Sequence, residues 1–236
     1  MYIYIYMSFI ISNYTMKRLS KDIADIIKYP LHDEGIYYQH DEDNLLLGHA
    51  MIYGPKDTIY ESGYYMFKFE YPETYPSLPP KVTFLTNKNN IRFHPNLYRN
   101  GKCCLSILNT WSGEQWSACQ SIRTILLQLL ILFNNKPLLH EPGIIETHRD
   151  FLSYNKVIEY NNIDIAIFNM LNNNLNIESY KLFKNDIKKL FSKNKKNIRE
   201  KILKLKLNNN YEYNIQLYKM NGICNYKELH NKLKEI

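Results

Sequence analysis

The first part of the chain carries apolar side chains at the spacing of a helix. Between residues 17 and 28, four of them share one helical face: Leu19, Ile23, Ile26 and Ile27. Pro30 ends this helix, because proline cannot donate the next backbone hydrogen bond. Residues 1–11 are also apolar, but they reach only about half of the ~20 residues of a membrane span and lack the basic start of a signal peptide. We therefore expect residues 1–15 to be a disordered leader, with Met16 as an alternative start.

Strand-type patterns fill the next part of the chain. Residues 64–71 alternate between two faces with a period of two, which predicts a β-strand. Apolar runs at 45–53 and 81–85 lie between turn residues and predict two more strands, and a weaker one is expected at 36–40. Because the connections between these runs are short, they predict an antiparallel meander of four strands.

Helical patterns return in the second half of the chain. Residues 121–133 are apolar almost all round, which predicts a core helix. Residues 177–207 are amphipathic and rich in lysine, and residues 225–236 form a second, shorter amphipathic stretch. We expect a helix at each of them, joined by a loop at 208–214.

The charge of the chain divides it into two parts. Its 236 residues are enough for one sizeable core and an extension. Residues 1–143 hold 13 Lys and Arg against 13 Asp and Glu, whereas residues 144–236 hold 17 against 10. Such a basic excess can bind nucleic acid or anionic lipid. Here the lysines are scattered among Ile, Leu and Phe at helical spacing, which favours the solvated face of a packed helix, so neither nucleic acid nor a membrane is an expected partner.

The chemistry of the chain is concentrated between Phe93 and Trp116. A His-Pro-Asn triplet and Gly101 indicate a loop, two adjacent cysteines follow, and an apolar run anchors the segment. The four cysteines of the chain show neither a disulfide framework nor the paired spacing of a zinc site. An irregular but anchored segment suits a reactive thiol, since the thiolate is the nucleophile in acyl transfer. A cysteine is otherwise more often a small buried apolar residue, which is the role we expect for Cys103.

These residues resemble the signature of the ubiquitin-conjugating enzyme family. The matching positions are His94, Pro95, Asn96, Gly101, Cys103, Cys104, Leu105, Ile107, Leu108 and Trp116. The resemblance implies that Cys104 accepts ubiquitin or a ubiquitin-like protein as a thioester, and that Asn96 stabilises the oxyanion formed when an amine attacks it. It implies that His94, Pro95 and Gly101 hold the loop, and it implies no metal or cofactor. The alternative for Asn96 is a role in the turn alone.

The resemblance also implies an α+β fold, the ubiquitin-conjugating fold, with an N-terminal helix, a four-stranded antiparallel meander and a core helix. We expect this catalytic domain at residues 16–170 and a basic helical C-terminal extension at 171–236. Gly48 departs from the family pattern, since many members carry Trp there. Residues 140–143 and 163–170 are similar to the large Z-type members. Where most members place an Asp-Pro flap, this chain has Glu141-Pro142, so Glu141 is a candidate for orienting the incoming lysine; the alternative is a solvated loop acid.

Partner sites are implied on two further surfaces. The family docks its activating enzyme through cations of the first helix, here Lys17, Arg18 and Lys21, although a solvated helix face is an equal alternative. It binds ligases through two loops, represented here by Ser77 and by Ser117-Ala118. Ser77 and Ala118 replace a common aromatic and a common proline, which argues against docking of common RING-type ligases.

The expected partners are therefore ubiquitin or a ubiquitin-like protein, an activating enzyme, a ligase and protein substrates. A reducing compartment suits a catalytic thiol, so we expect the cytoplasm, with the nucleus as a further location. The rival hypothesis is a ubiquitin-binding scaffold without activity. Cys104 together with Asn96 argues against it, because inactive members of the family lack the cysteine.

Overall fold

The computed structural model describes residues 11–88, 90–206 and 210–235. Its helices are α1 (Asn13–Lys28), α2 (Ile122–Ile131), α3 (Phe151–Asn161), α4 (Tyr180–Lys206) and α5 (Tyr226–Lys232). Its strands are β1 (Ile36–His40), β2 (Leu47–Tyr53), β3 (Tyr64–Glu70), β4 (Lys81–Phe84), β5 (Tyr211–Ile215) and β6 (Met220–Cys224). The α+β architecture and the order of helix, meander and core helix are those predicted from the sequence.

The first four strands form one antiparallel sheet in chain order, which confirms the predicted meander. β1 has the predicted bounds, and the ends of the other three strands differ from the prediction by at most two residues. The register places Phe67 of β3 between Ala50 of β2 and Phe84 of β4. All three are buried, so a row of apolar side chains crosses the sheet and anchors it in the core.

Both faces of β3 are buried, which a period-two pattern alone does not require. On one face, the ring of Tyr65 stacks on Phe133 with the ring centroids 4.4 Å apart. On the other face, the Tyr64 hydroxyl donates to the carbonyl oxygen of Ile187 in α4 at 3.3 Å. Ile187 and its neighbour Phe183 are fully buried. The extension therefore covers the second face of the sheet through α4.

Gly48 lies where a side chain would not fit. A Cβ atom at this position would lie 2.1 Å from the hydroxyl of Tyr38. That hydroxyl also lies 2.9 Å from the hydroxyl of Tyr71. The space beside β2 that a side chain would need is thus occupied by a tyrosine from the neighbouring strand, which accounts for the glycine.

α1 begins at Asn13, before the start predicted at residue 17. The side chain of Ser12 accepts a hydrogen bond from the backbone N–H of Thr15 and caps the helix. The Thr15 hydroxyl in turn donates to the carbonyl oxygen of Glu73 at 2.6 Å. The prediction of a disordered leader up to residue 15 is therefore wrong for residues 13–15, and residues 1–10 lie outside the described part of the chain.

α2 buries one face rather than its whole circumference. Four of its side chains are buried: Ile122, Ile125, Leu126 and Leu129. Leu127 and Ile131 are exposed by 37% and 59%. The helix therefore lies at the edge of the core, where it packs beside α1. Its apolar composition predicted more burial than the structure shows.

The extension contains a β-hairpin that the sequence analysis missed. Tyr211–Ile215 pairs with Met220–Cys224 in an antiparallel two-stranded sheet. The predicted loop at 208–214 is therefore wrong from residue 211 onward, although the helices on either side of it are confirmed. The hairpin is short, and its alternating tyrosines pack against the catalytic domain, which a local pattern cannot reveal.

The chain continues without a break across the predicted domain boundary at residue 170. α3 is followed directly by a π-helical segment, Asn162–Asn169, in which every residue is buried. Asn162 accepts a hydrogen bond from the Tyr65 hydroxyl at 2.6 Å, which ties this segment to β3. Within the described residues, no helix has both the length and the apolar character needed to span a membrane.

Candidate active site

The cysteine loop, residues 92–104, is folded around a pair of reciprocal hydrogen bonds. The backbone N–H of Cys104 donates to the carbonyl oxygen of Asn96 at 2.8 Å. The side-chain amide of Asn96 donates back to the carbonyl oxygen of Cys104 at 2.6 Å. The Tyr60 hydroxyl donates to the carbonyl oxygen of Phe93 at 2.6 Å and fixes the start of the loop. The sequence placed Asn96 and Cys104 in one motif, and the structure places them in contact.

His94 has a structural place inside the loop. It is fully buried, and its Nδ1 accepts a hydrogen bond from the backbone N–H of Asn96 at 3.0 Å. Burial lowers the pKa of His94 well below its usual value, and nearby His140 and Arg92 lower it further. The ring is therefore neutral, with its hydrogen on Nε2. It lies edge-on to the ring of His140, with the centroids 4.8 Å apart.

Gly101 closes the loop in a conformation that suits glycine. Its φ of +86° lies in the left-handed region. A Cβ atom here would lie 2.8 Å from the side chain of Thr83 and 3.0 Å from the carbonyl oxygen of Phe84. The Gly101 carbonyl oxygen accepts a hydrogen bond from the backbone N–H of Phe84 at 2.8 Å, so the loop lies directly against β4.

Both adjacent cysteines are buried. Cys103 is 1% exposed, and burial raises the pKa of its thiol, so this sulfur stays protonated at neutral pH. Its thiol lies 3.8 Å from the carbonyl oxygen of Gly101. These features fit the buried apolar role expected for Cys103. Cys104 is 2% exposed and is therefore buried as well.

Asn96 has one amide hydrogen engaged and one available. The first goes to the Cys104 carbonyl oxygen. A side-chain amide carries two N–H donors, so the second can serve an oxyanion beside the thiol. The contacts thus show that Asn96 stabilises the loop, and they leave its expected role as an oxyanion donor as a prediction.

The flap, residues 137–143, brings Glu141 to the edge of the same site. It starts with a short 3-10 helix, Pro137–His140, in which Pro137 and Leu138 are buried. His140 packs on His94, so the flap touches the cysteine loop. Glu141 is half-buried, and its Oε2 accepts a hydrogen bond from the Tyr218 hydroxyl at 2.6 Å. This carboxylate is therefore held by a partner, unlike a solvated loop acid.

Arg92 is a residue of the site that the sequence analysis missed. Its guanidinium lies between two aromatic rings, 3.8 Å from the centroid of Tyr98 and 4.4 Å from that of Tyr218. It also donates a hydrogen bond to the carbonyl oxygen of Pro95, within the His-Pro-Asn triplet. Arg92 directly precedes Phe93 and the triplet, but its aromatic partner from the extension lies far away in the sequence.

Comparison with known proteins identifies the family. The family model for ubiquitin-conjugating enzymes matches residues 18–153, more than half of the chain. The chain belongs to the ubiquitin-conjugating enzyme family. It is 40% identical to Ubiquitin-conjugating enzyme E2 Z of Xenopus tropicalis over 163 residues, which cover 68% of this chain and 51% of the relative. The human E2 Z is 41% identical over 157 residues, covering 65% and 44%.

A more distant relative supports the same assignment. Probable ubiquitin-conjugating enzyme protein 17 of Caenorhabditis elegans is 40% identical over 134 residues, covering 54% of this chain and 18% of the relative. The chain spans about half the length of the E2 Z relatives it matches. The predicted similarity to Z-type conjugating enzymes is thereby confirmed.

In this family member, the first helix presents only two of the three cations expected to bind an activating enzyme. Lys17 and Lys21 are exposed. The Arg18 side chain is 17% exposed, and its Nε donates to Asp22 at 3.0 Å. Its guanidinium also donates to the carbonyl oxygens of Ala118 and Gln120. Arg18 therefore joins α1 to the loop before α2, and its role in docking the activating enzyme stays a prediction.

The two loops expected to bind a ligase lie side by side. The indole N–H of Trp116 donates to the carbonyl oxygen of Pro76 at 2.7 Å, which joins them. Three predicted residues are exposed there: Ser77, Ser117 and Ala118. Leu78 is also exposed, by 53%, and the sequence analysis did not single it out.

The lysine-rich α4 behaves as a packed helix with a solvated face. Its buried positions are apolar: Phe183, Ile187, Ile198 and Ile202. Its exposed positions include Lys184, Lys188, Lys189 and Lys196. Among the residues that the structure describes, no group of three or more His, Cys, Asp and Glu side chains could hold a metal ion.

Proposed function

We propose that this chain accepts ubiquitin or a ubiquitin-like protein from an activating enzyme as a thioester on Cys104 and transfers it to a lysine or to a ligase cysteine. The observation that carries this proposal is the reciprocal hydrogen bonding of Asn96 and Cys104 on one anchored loop. A side-chain amide fixed beside a cysteine supplies the two groups that acyl transfer needs, a nucleophile and an oxyanion donor.

In the first step, the Cys104 thiolate attacks the thioester carbonyl on the activating enzyme. A carbon–sulfur bond to Cys104 forms, the bond to the cysteine of the activating enzyme breaks, and that cysteine leaves as a thiolate. The step involves no net oxidation, and the activating enzyme has already consumed ATP.

In the second step, a neutral amine or a ligase thiolate attacks the Cys104 thioester. The new bond to nitrogen or sulfur forms, Cys104 leaves as a thiolate, and an attacking amine passes its proton to solvent. The second amide hydrogen of Asn96 stabilises the intermediate oxyanion, with an effect of about 3 kcal/mol in comparable sites. The carboxylate of Glu141 attracts a lysine ammonium to the edge of the site, where the ammonium loses a proton to solvent and the neutral amine attacks.

The partner surfaces extend this proposal. Lys17 and Lys21 provide exposed positive charge for an acidic face of the activating enzyme. The joined loops at Ser77 and Ser117-Ala118, together with exposed Leu78, form the ligase surface. We place the reaction in the cytoplasm, with the nucleus as a second location.

The test is an incubation with activating enzymes, ATP and labelled ubiquitin or one of its relatives, followed by gels with and without reductant. Wild type and Cys103→Ser should form an adduct that reductant removes, and Cys104→Ala should form none. Cys104→Ser should form an oxyester that resists reductant. An adduct that persists in Cys104→Ala and disappears in Cys103→Ser would overturn the assignment.

A further inference from the structure

The turn between β5 and β6 places the extension against the cysteine loop and the flap. Its 3-10 segment, Gln216–Tyr218, is held from both sides by the catalytic domain. The backbone N–H of Leu217 donates to the Asp150 carboxylate at 3.0 Å. The Arg99 guanidinium donates to the carbonyl oxygen of Tyr218. These bonds fix the backbone on both sides of the Tyr218 side chain.

Tyr218 contacts both segments that carry the proposed chemistry. Its hydroxyl donates to Glu141 Oε2 at 2.6 Å. Its ring lies 4.4 Å from the guanidinium of Arg92, which donates to the carbonyl oxygen of Pro95 in the cysteine loop. One side chain from the extension thus joins the acid of the flap to the His-Pro-Asn triplet.

The surroundings of Tyr218 keep its hydroxyl in the donor state. The side chain is buried, and its ring packs on Tyr154 with the centroids 5.7 Å apart. Burial raises the pKa of Tyr218, and Tyr154 and Glu141 raise it further. Arg92 opposes this shift, but the net direction is upward, so the hydroxyl is protonated at neutral pH and donates to Glu141. It directs one carboxylate oxygen of Glu141 and leaves the other for an incoming ammonium.

We propose that Tyr218 is a positioning residue for the acceptor lysine, which fixes the Glu141 carboxylate relative to the cysteine loop. This inference rests on the proposed function, since it concerns the discharge of a Cys104 thioester. The C-terminal hairpin then forms part of the acceptor site. Its role is limited to discharge, because Tyr218 touches neither the Cys104 sulfur nor the surfaces expected to bind the activating enzyme.

Single-turnover discharge of purified, preloaded thioester separates this role from a general effect on folding. Tyr218→Phe removes the hydroxyl and keeps the ring on Arg92. It should raise the lysine concentration for half-maximal discharge about tenfold, as expected for the loss of one hydrogen bond to a charged group. The maximal rate, the charging step and the hydrolysis of the thioester should stay at wild-type values.

Tyr211→Phe is the matched control. It removes another tyrosine hydroxyl of the same hairpin, and this hydroxyl forms its hydrogen bond to the catalytic domain away from the site. The Tyr211 hydroxyl donates to Ser153 Oγ at 2.7 Å. Both variants lose one such bond and should show similar shifts in melting temperature, but Tyr211→Phe should keep the wild-type dependence on lysine. Equal lysine dependence in the two variants would overturn the role of Tyr218.

Glu141→Gln provides the second arm of the test. It should raise the lysine concentration for half-maximal discharge by a similar factor. The double variant with Tyr218→Phe should need no more lysine than Glu141→Gln alone. Fully multiplicative effects would show that Tyr218 does not act through Glu141 and would overturn the proposal. A wild-type chain that forms no thioester would refute the proposed function itself, an outcome distinct from a loaded chain insensitive to Tyr218→Phe.

Discussion

Two arginines, Arg18 and Arg92, each join several segments of this protein through hydrogen bonds and aromatic rings, but they use different parts of the chain. Arg18 joins α1 to the ligase-side loops through Asp22, two carbonyl oxygens and the ring of Tyr75, which is 5.7 Å away. Arg92 joins the cysteine loop to the rings of Tyr98 and Tyr218. Every partner of the Arg18 cluster lies in the catalytic domain, whereas the Arg92 cluster takes Tyr218 from the extension.

The two regions therefore depend on different parts of the chain. The surfaces expected to bind the activating enzyme and the ligase are completed within the first 120 residues or so of the chain. The proposed acceptor side of the site includes Tyr218, which the hairpin supplies. Changes to the extension should therefore affect discharge and stability, and changes around Arg18 should affect the docking surfaces.

The largest expected effect comes from truncation after Met170. This change removes α4 and the hairpin, so it exposes the second face of β3 and takes Tyr218 from Arg92. The loss should approach the whole stability of a domain, about 5–15 kcal/mol. Urea unfolding followed by circular dichroism should show no cooperative transition.

Truncation after Cys224 is the control for this experiment, because it removes α5 and keeps both α4 and Tyr218. It should give a folded chain of reduced stability, since Leu229 of α5 is fully buried. A chain ending at Met170 that unfolds cooperatively at the wild-type midpoint would contradict a structural role for the extension.

Asn96→Ala tests the part of the catalytic site that does not use the extension. It removes the bond to the Cys104 carbonyl oxygen and the proposed oxyanion donor. Charging should stay close to wild type, and discharge to lysine should slow by about 100-fold. Asn100→Ala alters an exposed asparagine of the same loop and should discharge normally. A loss of near-ultraviolet circular dichroism in Asn96→Ala would show that the loop hydrogen bonds dominate its role.

Arg18→Ala tests the Arg18 cluster, which joins α1 to the ligase-side loops. It leaves the buried Asp22 without its cation and should lower the free energy of unfolding by about 2 kcal/mol. Charging of the remaining folded protein should be unchanged, because Arg18 faces the protein rather than solvent. Chemical denaturation and a charging assay on the same sample check both expectations.

The double variant Lys17→Ala, Lys21→Ala is the counterpart on the same helix. Both side chains are exposed, so its stability should stay within about 0.5 kcal/mol of wild type. Charging should slow several-fold at low salt, by about tenfold at most, and the difference should shrink as salt screens the charges. Slow charging by Arg18→Ala and normal charging by this double variant would reverse the assignment.

A further expected effect concerns pH and the buried His94. Its folded pKa is lowered, chiefly by burial, so the unfolded state binds more protons below its usual value of about 6.5. The stability that neutral His94 contributes is present above that pH and is lost as pH falls toward the folded pKa. Urea unfolding from pH 7 to 5 should show this loss, and His94→Asn should reduce its slope by up to ~1.4 kcal/mol per pH unit.

The predicted strands and the cysteine loop were accessible to sequence reasoning because their signals are local. The period-two run of β3 and the turn residues around it determine a strand and its ends. His94, Asn96, Gly101 and Cys104 are close in sequence, so their spacing specifies one loop. In the structure, His94 accepts a hydrogen bond from Asn96 within this loop, and Gly101 lies against β4.

The sequence reasoning missed features that depend on a distant partner. It did not reveal that Arg18 contacts the carbonyl oxygen of Ala118, which lies 100 positions away in the sequence. The strand at Tyr211–Ile215 was predicted to be a loop because its pairing and its burial come from other segments. α2 looked like a fully buried helix because composition reports apolar character and does not report which neighbours are present.

The sequence by itself determined the family, the meander and the loop that presents Cys104, since these depend on spacing within short stretches of chain. Only the tertiary structure decided that α4 covers the sheet, that Arg18 faces inward and that Tyr218 bonds Glu141. The last contact spans 77 positions. Hydrogen bonds and aromatic contacts act over a few ångströms of space, and no local pattern encodes which distant segments approach that closely.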